Sequence, residues 1–104
     1  MKLAPTIERG TKEPPSFPKR ILVVDDDPNL TLTFKVGLEL DCDNDERKFE
    51  VYTYNNPLEA LSEFKPHFYD LLLTDIYMPD MNGYELFNEI RKVNDKISMF
   101  CHSI

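Results

Sequence analysis

Acidic side chains follow two apolar segments of this 104-residue chain. Asp25 and Asp26 come directly after residues 21–24, and Asp75 comes directly after residues 71–74. If the two segments are neighbouring parallel strands, their carboxyl ends share one edge of a sheet and the three carboxylates converge. Like charges at a few ångströms resist joint ionisation, so the group favours a divalent cation. Mg²⁺ prefers oxygen ligands and commonly joins carboxylates to phosphate, so the pattern predicts a magnesium site suited to phosphoryl chemistry.

Asp27 has a competing explanation, because acidic residues also cap helices. It stands directly before Pro28, and proline is favoured in the first turn of a helix. A carboxylate in that position accepts hydrogen bonds from backbone N–H groups that lack partners in the first turn. The sequence leaves Asp27 open between a helix cap and a site residue. Convergence with Asp75 favours a site role for Asp25 and Asp26.

Strand-like and helix-like patterns alternate along the chain from Arg20 onward. The predicted elements are a strand at 21–24, a helix from Pro28 to about residue 40, a charged connection at 41–48, a strand at 49–54, a helix from Pro57 that stops before Pro66, a strand at 71–74, a helix from Gly83 to about Val93, and a strand at 97–102. Such alternation indicates a single α/β domain, with a parallel sheet covered by helices on both faces. The apolar face expected for the first helix consists of Leu30, Leu32, Phe34, Leu38 and Leu40.

Composition narrows the class of protein. The chain is 41% hydrophobic and 30% charged, which is ordinary for a folded globular domain. Residues 1–19 hold four of the eight prolines and predict a flexible arm. A formal net charge of -7 without a basic stripe argues against direct nucleic-acid binding. The sequence shows neither an apolar stretch of bilayer length nor a signal peptide, which predicts a cytoplasmic protein without membrane contact.

Two segments carry a family signal. Residues 21–29, ILVVDDDPN, and residues 71–86, LLLTDIYMPDMNGYEL, resemble the signature regions of response regulator receiver domains of two-component systems. The resemblance extends from about Lys19 to the end of the chain. It implies a flavodoxin-like doubly wound parallel sheet with strand order 2-1-3-4-5. It also implies a phosphorelay role, in which a sensor histidine kinase or phosphotransfer protein donates a phosphoryl group to a domain that is not a turnover enzyme.

The resemblance also assigns roles to single residues. Asp75 is implied to be the phosphoacceptor, with Asp26 binding Mg²⁺ directly and Asp25 acting largely through water. The backbone carbonyl of Tyr77 is implied to complete the protein ligands. Ser103 is implied to contact the phosphoryl group and to couple its arrival to loop movement.

The carboxyl end of the sequence departs from the family pattern. Family receivers have five strands and an essential Lys after strand five, whereas this sequence stops after strand four. Lys96 precedes strand four and so lies at the opposite end of the sheet. We expect residues 20–104 to be a receiver that lacks the last strand and its flanking helices. Strand four is then an exposed apolar edge, which favours dimerisation or non-native association.

Two other functions remain open from the sequence. One is a binding module with a receiver fold that no longer switches by phosphorylation, which the missing Lys favours and the intact acids oppose. The other is a metal-dependent phosphatase of the haloacid dehalogenase class, which also uses an Asp nucleophile after a strand. That class needs a second acid two residues later, where Tyr77 stands.

Several further residues have ordinary explanations. His102 lies in an apolar strand and is expected to pack rather than to act as a base or ligand. Cys42 and Cys101 lack metal-site spacing and are expected to be free thiols. Residues 41–45 resemble the start of a calcium loop, but Glu46 stands where that loop needs Gly. Calcium binding is therefore not predicted.

Overall fold

A parallel sheet of four strands forms the centre of the molecule. The computed structural model describes residues 18–103. In chain order its elements are β1 (Lys19–Val24), α1 (Pro28–Glu39), β2 (Cys42–Asp43), β3 (Glu46–Arg47), β4 (Phe49–Tyr54), α2 (Pro57–Ser62), β5 (Leu71–Asp75), α3 (Gly83–Arg91) and β6 (Ser98–His102). The sheet order is β4-β1-β5-β6, and all of its pairings are parallel. The flavodoxin-like arrangement predicted for the first four strands is confirmed.

Element boundaries differ from the predictions by a few residues. β1 begins at Lys19, because the Lys19 N–H donates to the Lys48 carbonyl at 2.9 Å and extends the pairing with β4. Asn56 caps α2 by accepting hydrogen bonds from the backbone N–H groups of Leu58 and Glu59. That helix ends at Ser62, well before Pro66. Apart from its last two residues, the flexible arm predicted for residues 1–19 lies outside the described residues.

Each face of the sheet carries a buried apolar cluster, because successive side chains of a strand point to opposite sides. The larger apolar cluster lies on the side of α2 and α3, and its buried members are Leu22, Val24, Ala60, Tyr69, Leu72, Leu86, Ile90 and Ile97. The smaller cluster lies on the side of α1 and contains Ile21, Val23, Val51 and Leu73. β1 thus contributes to both clusters, which explains its continuous apolar sequence.

Helix α1 has a narrower buried face than the sequence predicted. Phe34 and Leu38 pack against the smaller cluster, whereas Leu32 and Leu40 are 59% and 75% exposed. Two positions along a helix correspond to a rotation of about 200°, so a residue two places from a packed one points the other way. The assignment of Leu32 and Leu40 to the buried face was wrong. Within residues 18–103, no helix is long and apolar enough to cross a membrane.

The charged connection between α1 and β4 contains a hairpin that was not predicted. β2 and β3 pair antiparallel, with Cys42 opposite Arg47. Asn44 and Asp45 form the turn with φ values of 54° and 65°. A two-residue hairpin turn favours this left-handed conformation, and Asn and Asp tolerate it better than most residues. Asn44 and Asp45 are typical turn residues, but the charged segments beside them show no apolar alternation. The sequence therefore did not predict strands there.

Candidate metal centre at the carboxyl edge of the sheet

Three carboxylates meet beyond the carboxyl ends of β1 and β5. Asp75 is the last residue of β5, and Asp25 and Asp26 directly follow β1. The two strands are neighbours, with Val24 opposite Thr74. One carboxylate oxygen from each of the three acids lies within 4.8 Å of the other two. The convergence predicted from the sequence is therefore observed.

The three acids differ in their exposure to solvent. Asp25 is fully buried and Asp75 is 5% exposed, whereas Asp26 faces solvent. Burial raises the pKa of the Asp25 carboxyl above its ordinary value. The backbone N–H of Asp27 opposes this pKa rise by donating to Asp25 Oδ1 at 2.8 Å, and the negative charge of Asp75 adds to it. Ionising the whole cluster is therefore costly without a nearby positive charge.

The donor atoms fit a hard divalent cation. Asp25 Oδ2 is buried and makes no hydrogen bond with any described residue. The exposure of Asp26 suits an ion that keeps several of its waters. A set of carboxylate oxygens without thiolate or imidazole ligands favours Mg²⁺ over zinc. The cluster can thus hold a magnesium ion that neutralises its charge.

Asp27 has a structural role at the start of α1. Its Oδ1 accepts a hydrogen bond from the Asn29 backbone N–H at 2.9 Å, and its own backbone is extended. This is the geometry of a helix N-cap. Of the two roles that the sequence left open for Asp27, the structure supports the cap.

The loop after β5 contacts Asp75 through its backbone. The Tyr77 N–H donates to Asp75 Oδ1 at 3.2 Å, while the Tyr77 side chain is 74% exposed. The Ile76 N–H donates to the His102 carbonyl at 2.9 Å and ties this loop to the end of β6. Ser103 follows directly and is exposed. Tyr77 and Ser103 therefore lie beside the acidic cluster, and their roles toward metal and phosphoryl group remain predictions.

Gly83 allows two backbone segments to approach closely. A Cβ atom on Gly83 would lie 2.4 Å from the Asp75 carbonyl oxygen and 3.1 Å from Thr74 Cγ2. Its N–H donates to the Ile76 carbonyl at 3.0 Å. The left-handed residue of this loop is Asp80, with φ of 73°, and Gly83 has no positive φ. The close approach to Asp75, and not a left-handed backbone, therefore explains the glycine at this position.

His102 lies closer to the acids than the sequence indicated. Its Nε2 atom is 3.2 Å from Asp25 Oδ2, and its side chain is 9% exposed. The predicted packing role is also present, because the His102 and Phe34 rings lie 5.3 Å apart. The register places His102 opposite Asp75, at the same edge of the sheet. The closeness of His102 to the acids was not predicted because it depends on strand register, which apolar patterning does not reveal.

The model of one protein family matches most of the chain. The family described as the response regulator receiver domain matches residues 21–103. Among curated proteins, a transcriptional regulatory protein CpxR homolog of Haemophilus influenzae is 43% identical over 76 residues, which are 73% of this chain and 30% of that protein. The chain thus spans less than a third of that relative's length.

Two solved structures of one protein share the fold. The response regulator TrrA of Thermotoga maritima, in complex with Mg²⁺-BeF, superposes with a TM-score of 0.66 at 40% identity, covering 78% of this chain and 65% of that chain. TrrA in complex with the histidine kinase ThkA gives a TM-score of 0.68 at 38% identity, covering 82% of this chain and 68% of that chain. About two thirds of each solved chain is matched.

Proposed function

The chain belongs to the response regulator receiver family, and from this membership we propose that Asp75 accepts a phosphoryl group in a Mg²⁺-dependent phosphorelay. The observation that carries the proposal is the convergence of Asp25, Asp26 and Asp75, with ligand atoms within 4.8 Å of one another. The complex of TrrA with Mg²⁺-BeF supports the magnesium requirement. The complex of TrrA with the histidine kinase ThkA supports a sensor histidine kinase as partner. A phosphotransfer protein is the alternative donor.

Each site residue has a distinct role in this proposal. Asp26 binds Mg²⁺ directly, Asp25 acts largely through a bound water, and the Tyr77 carbonyl completes the protein ligands. When bound, the ion neutralises negative charge on the phosphoryl group during transfer. Ser103 contacts the transferred group and couples its arrival to loop movement.

Phosphoryl transfer begins with attack of an Asp75 carboxylate oxygen on phosphorus. The Tyr77 N–H donates to Oδ1, which leaves Oδ2 without this hydrogen bond and available for the attack. A P–O bond forms as the P–N bond of the donor phosphohistidine breaks, and the imidazole leaves with the electron pair and takes up a proton. The fold contributes position and charge to this transfer step. The product is an acyl phosphate on Asp75.

Hydrolysis of this acyl phosphate resets the site. Water attacks phosphorus, the P–O bond to Asp75 breaks, and the carboxylate and inorganic phosphate are released. Each chain therefore carries one phosphoryl group at a time, and the alternation of two states is the signal. On this proposal the domain is a switch and not a turnover enzyme for a bulk metabolite.

Acetyl phosphate tests the proposal without a kinase. Incubation with Mg²⁺ should add one phosphoryl group to the intact mass, and EDTA should abolish the gain. Asp75→Asn should also abolish it. Asp95→Asn is the matched control, because Asp95 is exposed and lies before β6, at the opposite end of the sheet. If the wild-type chain gains nothing, the proposal fails for this chain and a binding module with a receiver fold replaces it.

A further inference from the structure

His102 is a buried polar side chain that lacks hydrogen-bond partners. Neither ring nitrogen makes a hydrogen bond with any described residue, and the side chain is 9% exposed. Burying a polar group without a hydrogen-bond partner destabilises the folded state. An apolar residue of similar size would fill the same space without this cost. Packing alone therefore does not explain an imidazole at this position.

The unpartnered nitrogen faces an unpartnered oxygen. His102 Nε2 lies 3.2 Å from Asp25 Oδ2, and that oxygen is itself buried without a hydrogen bond to any described residue. The two atoms are at ion-pair distance but lack the angles of a hydrogen bond. The Phe34 ring packs against the imidazole with a tilt of 50° and limits where the ring can move. A change in the orientation of one of the two side chains would be needed to form the hydrogen bond.

The backbone of His102 links three parts of the site. Its carbonyl accepts the Ile76 N–H at 2.9 Å, in the loop after the phosphoacceptor. Its Cα pairs with Asp75 across the strands, and Ser103 is the next residue. A contact between the His102 side chain and Asp25 therefore connects the loop after β1 to the segments that carry Asp75 and Ser103.

We propose that His102 is a positioning residue that holds the Asp25 carboxylate in the orientation needed for magnesium binding. This inference rests on the proposed function, because it assigns Asp25 to a magnesium site. A carboxylate oxygen has two lone-pair directions, so Oδ2 can accept the Nε2 proton and still face the ion or its water. The Asp27 N–H already fixes Oδ1 at 2.8 Å. Together the two donors set the plane of the carboxylate.

Magnesium titration by calorimetry tests the role of the imidazole directly. His102→Leu removes the donor and should weaken Mg²⁺ binding about tenfold or more, as loss of a group that orients a ligand typically does. His102→Gln offers an amide N–H of similar reach and should recover most of the affinity. His67→Asn is the matched control, because His67 is the other histidine of the chain and is exposed in the connection between α2 and β5. This control should bind Mg²⁺ like the wild type.

Ring signals in NMR spectra provide a readout that does not depend on the variants folding. Saturating Mg²⁺ should shift the His102 ring resonances of the wild-type chain and leave those of His67 in place. Unmoved His102 resonances, or a folded Leu variant with wild-type affinity, would overturn the inference. The acetyl phosphate assay separates the two proposals. If Mg²⁺ binding depends on His102 but the wild-type chain gains no phosphoryl group, only the phosphorelay proposal is contradicted. If the wild-type chain is labelled normally but His102→Leu binds Mg²⁺ with unaltered affinity, only the positioning role of His102 is contradicted.

Discussion

Among the single residues of the site, Asp25 is the one whose negative charge most destabilises the metal-free fold. It is fully buried, and the nearby charge of Asp75 repels its ionised form. We expect Asp25→Asn to raise the free energy of unfolding of the metal-free chain by about 1 kcal/mol at neutral pH, the scale of one like-charge contact screened by water. Urea denaturation in EDTA measures the change, with Asp95→Asn as control. A less stable metal-free Asn variant would contradict this account of the cluster.

Substitution of Gly83 tests the close approach between α3 and the end of β5. Gly83→Ala forces its new Cβ against the Asp75 carbonyl, so we expect a loss of about 1–3 kcal/mol in unfolding free energy. Phosphorylation of Asp75 should also slow, because the backbone that carries the carboxylate must shift. Gly37 in α1 is the matched control, because a Cβ atom added there would have no neighbour within 4 Å. Gly37→Ala should instead stabilise the chain by about 0.5–1 kcal/mol, and similar losses in both variants would refute the steric explanation.

The sequence predicted the acids of the site but not the contact of His102 with Asp25. Asp25, Asp26 and Asp75 were recognisable because each follows the end of an apolar strand, and strand ends can be read from composition. The contact of His102 with Asp25 depends on strand register and on the side to which a residue points, which local patterns do not determine. The reason for Gly83 is a close approach between segments, which likewise exists only after folding.

At the scale of elements, the outer edge of β4 is covered by side chains of α1. The Val51 N–H donates to Glu39 Oε2 at 2.9 Å, and the Val51 carbonyl accepts from Lys35 Nζ at 2.8 Å. Lys35 and Glu39 also pair with each other at 3.2 Å. Unpaired strand edges invite pairing with other chains, and these contacts occupy both backbone groups of Val51. The pair therefore stabilises this edge and protects it.

Glu39 makes this protection depend on pH. Burial alone would raise the pKa of Glu39, but the Val51 N–H and the Lys35 ammonium together hold the pKa below its ordinary value. An acid with a lowered pKa adds stability above its unfolded-state pKa, and this stability is lost as the pH falls through the folded-state pKa. We expect Glu39→Gln to lose about 1 kcal/mol of unfolding free energy near neutral pH.

Urea denaturation at neutral and acidic pH measures that loss. The difference between wild type and Glu39→Gln should vanish once the pH falls below the folded-state pKa of Glu39. Glu46→Gln is the control, because Glu46 is exposed in the hairpin. A difference that persists unchanged in acid would mean that the charge of Glu39 is not what stabilises the edge.

Most elements were predictable because they combine strong local signals. Apolar runs marked β1 and β5, and Pro28 and Pro57 marked the first turns of two helices. The hairpin was missed because its short strands are charged and exposed, so they carry no apolar period. The predicted buried face of α1 was too wide because the helix carries leucines on opposite sides. Packing against the sheet determines which side is buried, and the sequence does not show this.

At the scale of the whole molecule, β6 forms one edge of the sheet. Among the described residues its outer side pairs with no strand, and Phe100 is 63% exposed. We expect the chain to self-associate through this edge as concentration rises. Phe100→Glu should shift the sedimentation profile toward monomer. Tyr84→Glu, at a 53% exposed position in α3, is the control and should not.

A wild-type chain that stays monomeric at all concentrations would contradict the expected association.

The order of the four strands was predicted from the family resemblance, since alternating patterns predict a parallel sheet but do not order its strands. β1 lies between β4 and β5 because the connection through α1 places β4 beside β1, and the connection through α2 then passes over β1 to place β5 on its other side. The packing of the whole domain makes this choice.

The position of the phosphoryl group on the labelled chain shows whether Asp75 is the phosphoacceptor. After labelling with acetyl phosphate and Mg²⁺, borohydride reduces an aspartyl phosphate to homoserine, which tandem mass spectrometry assigns to one position. We predict that Asp75 alone among the 19 acidic residues is converted, and only in samples that contained Mg²⁺. Conversion at another acid, or at none, would contradict the claim that Asp75 is the phosphoacceptor.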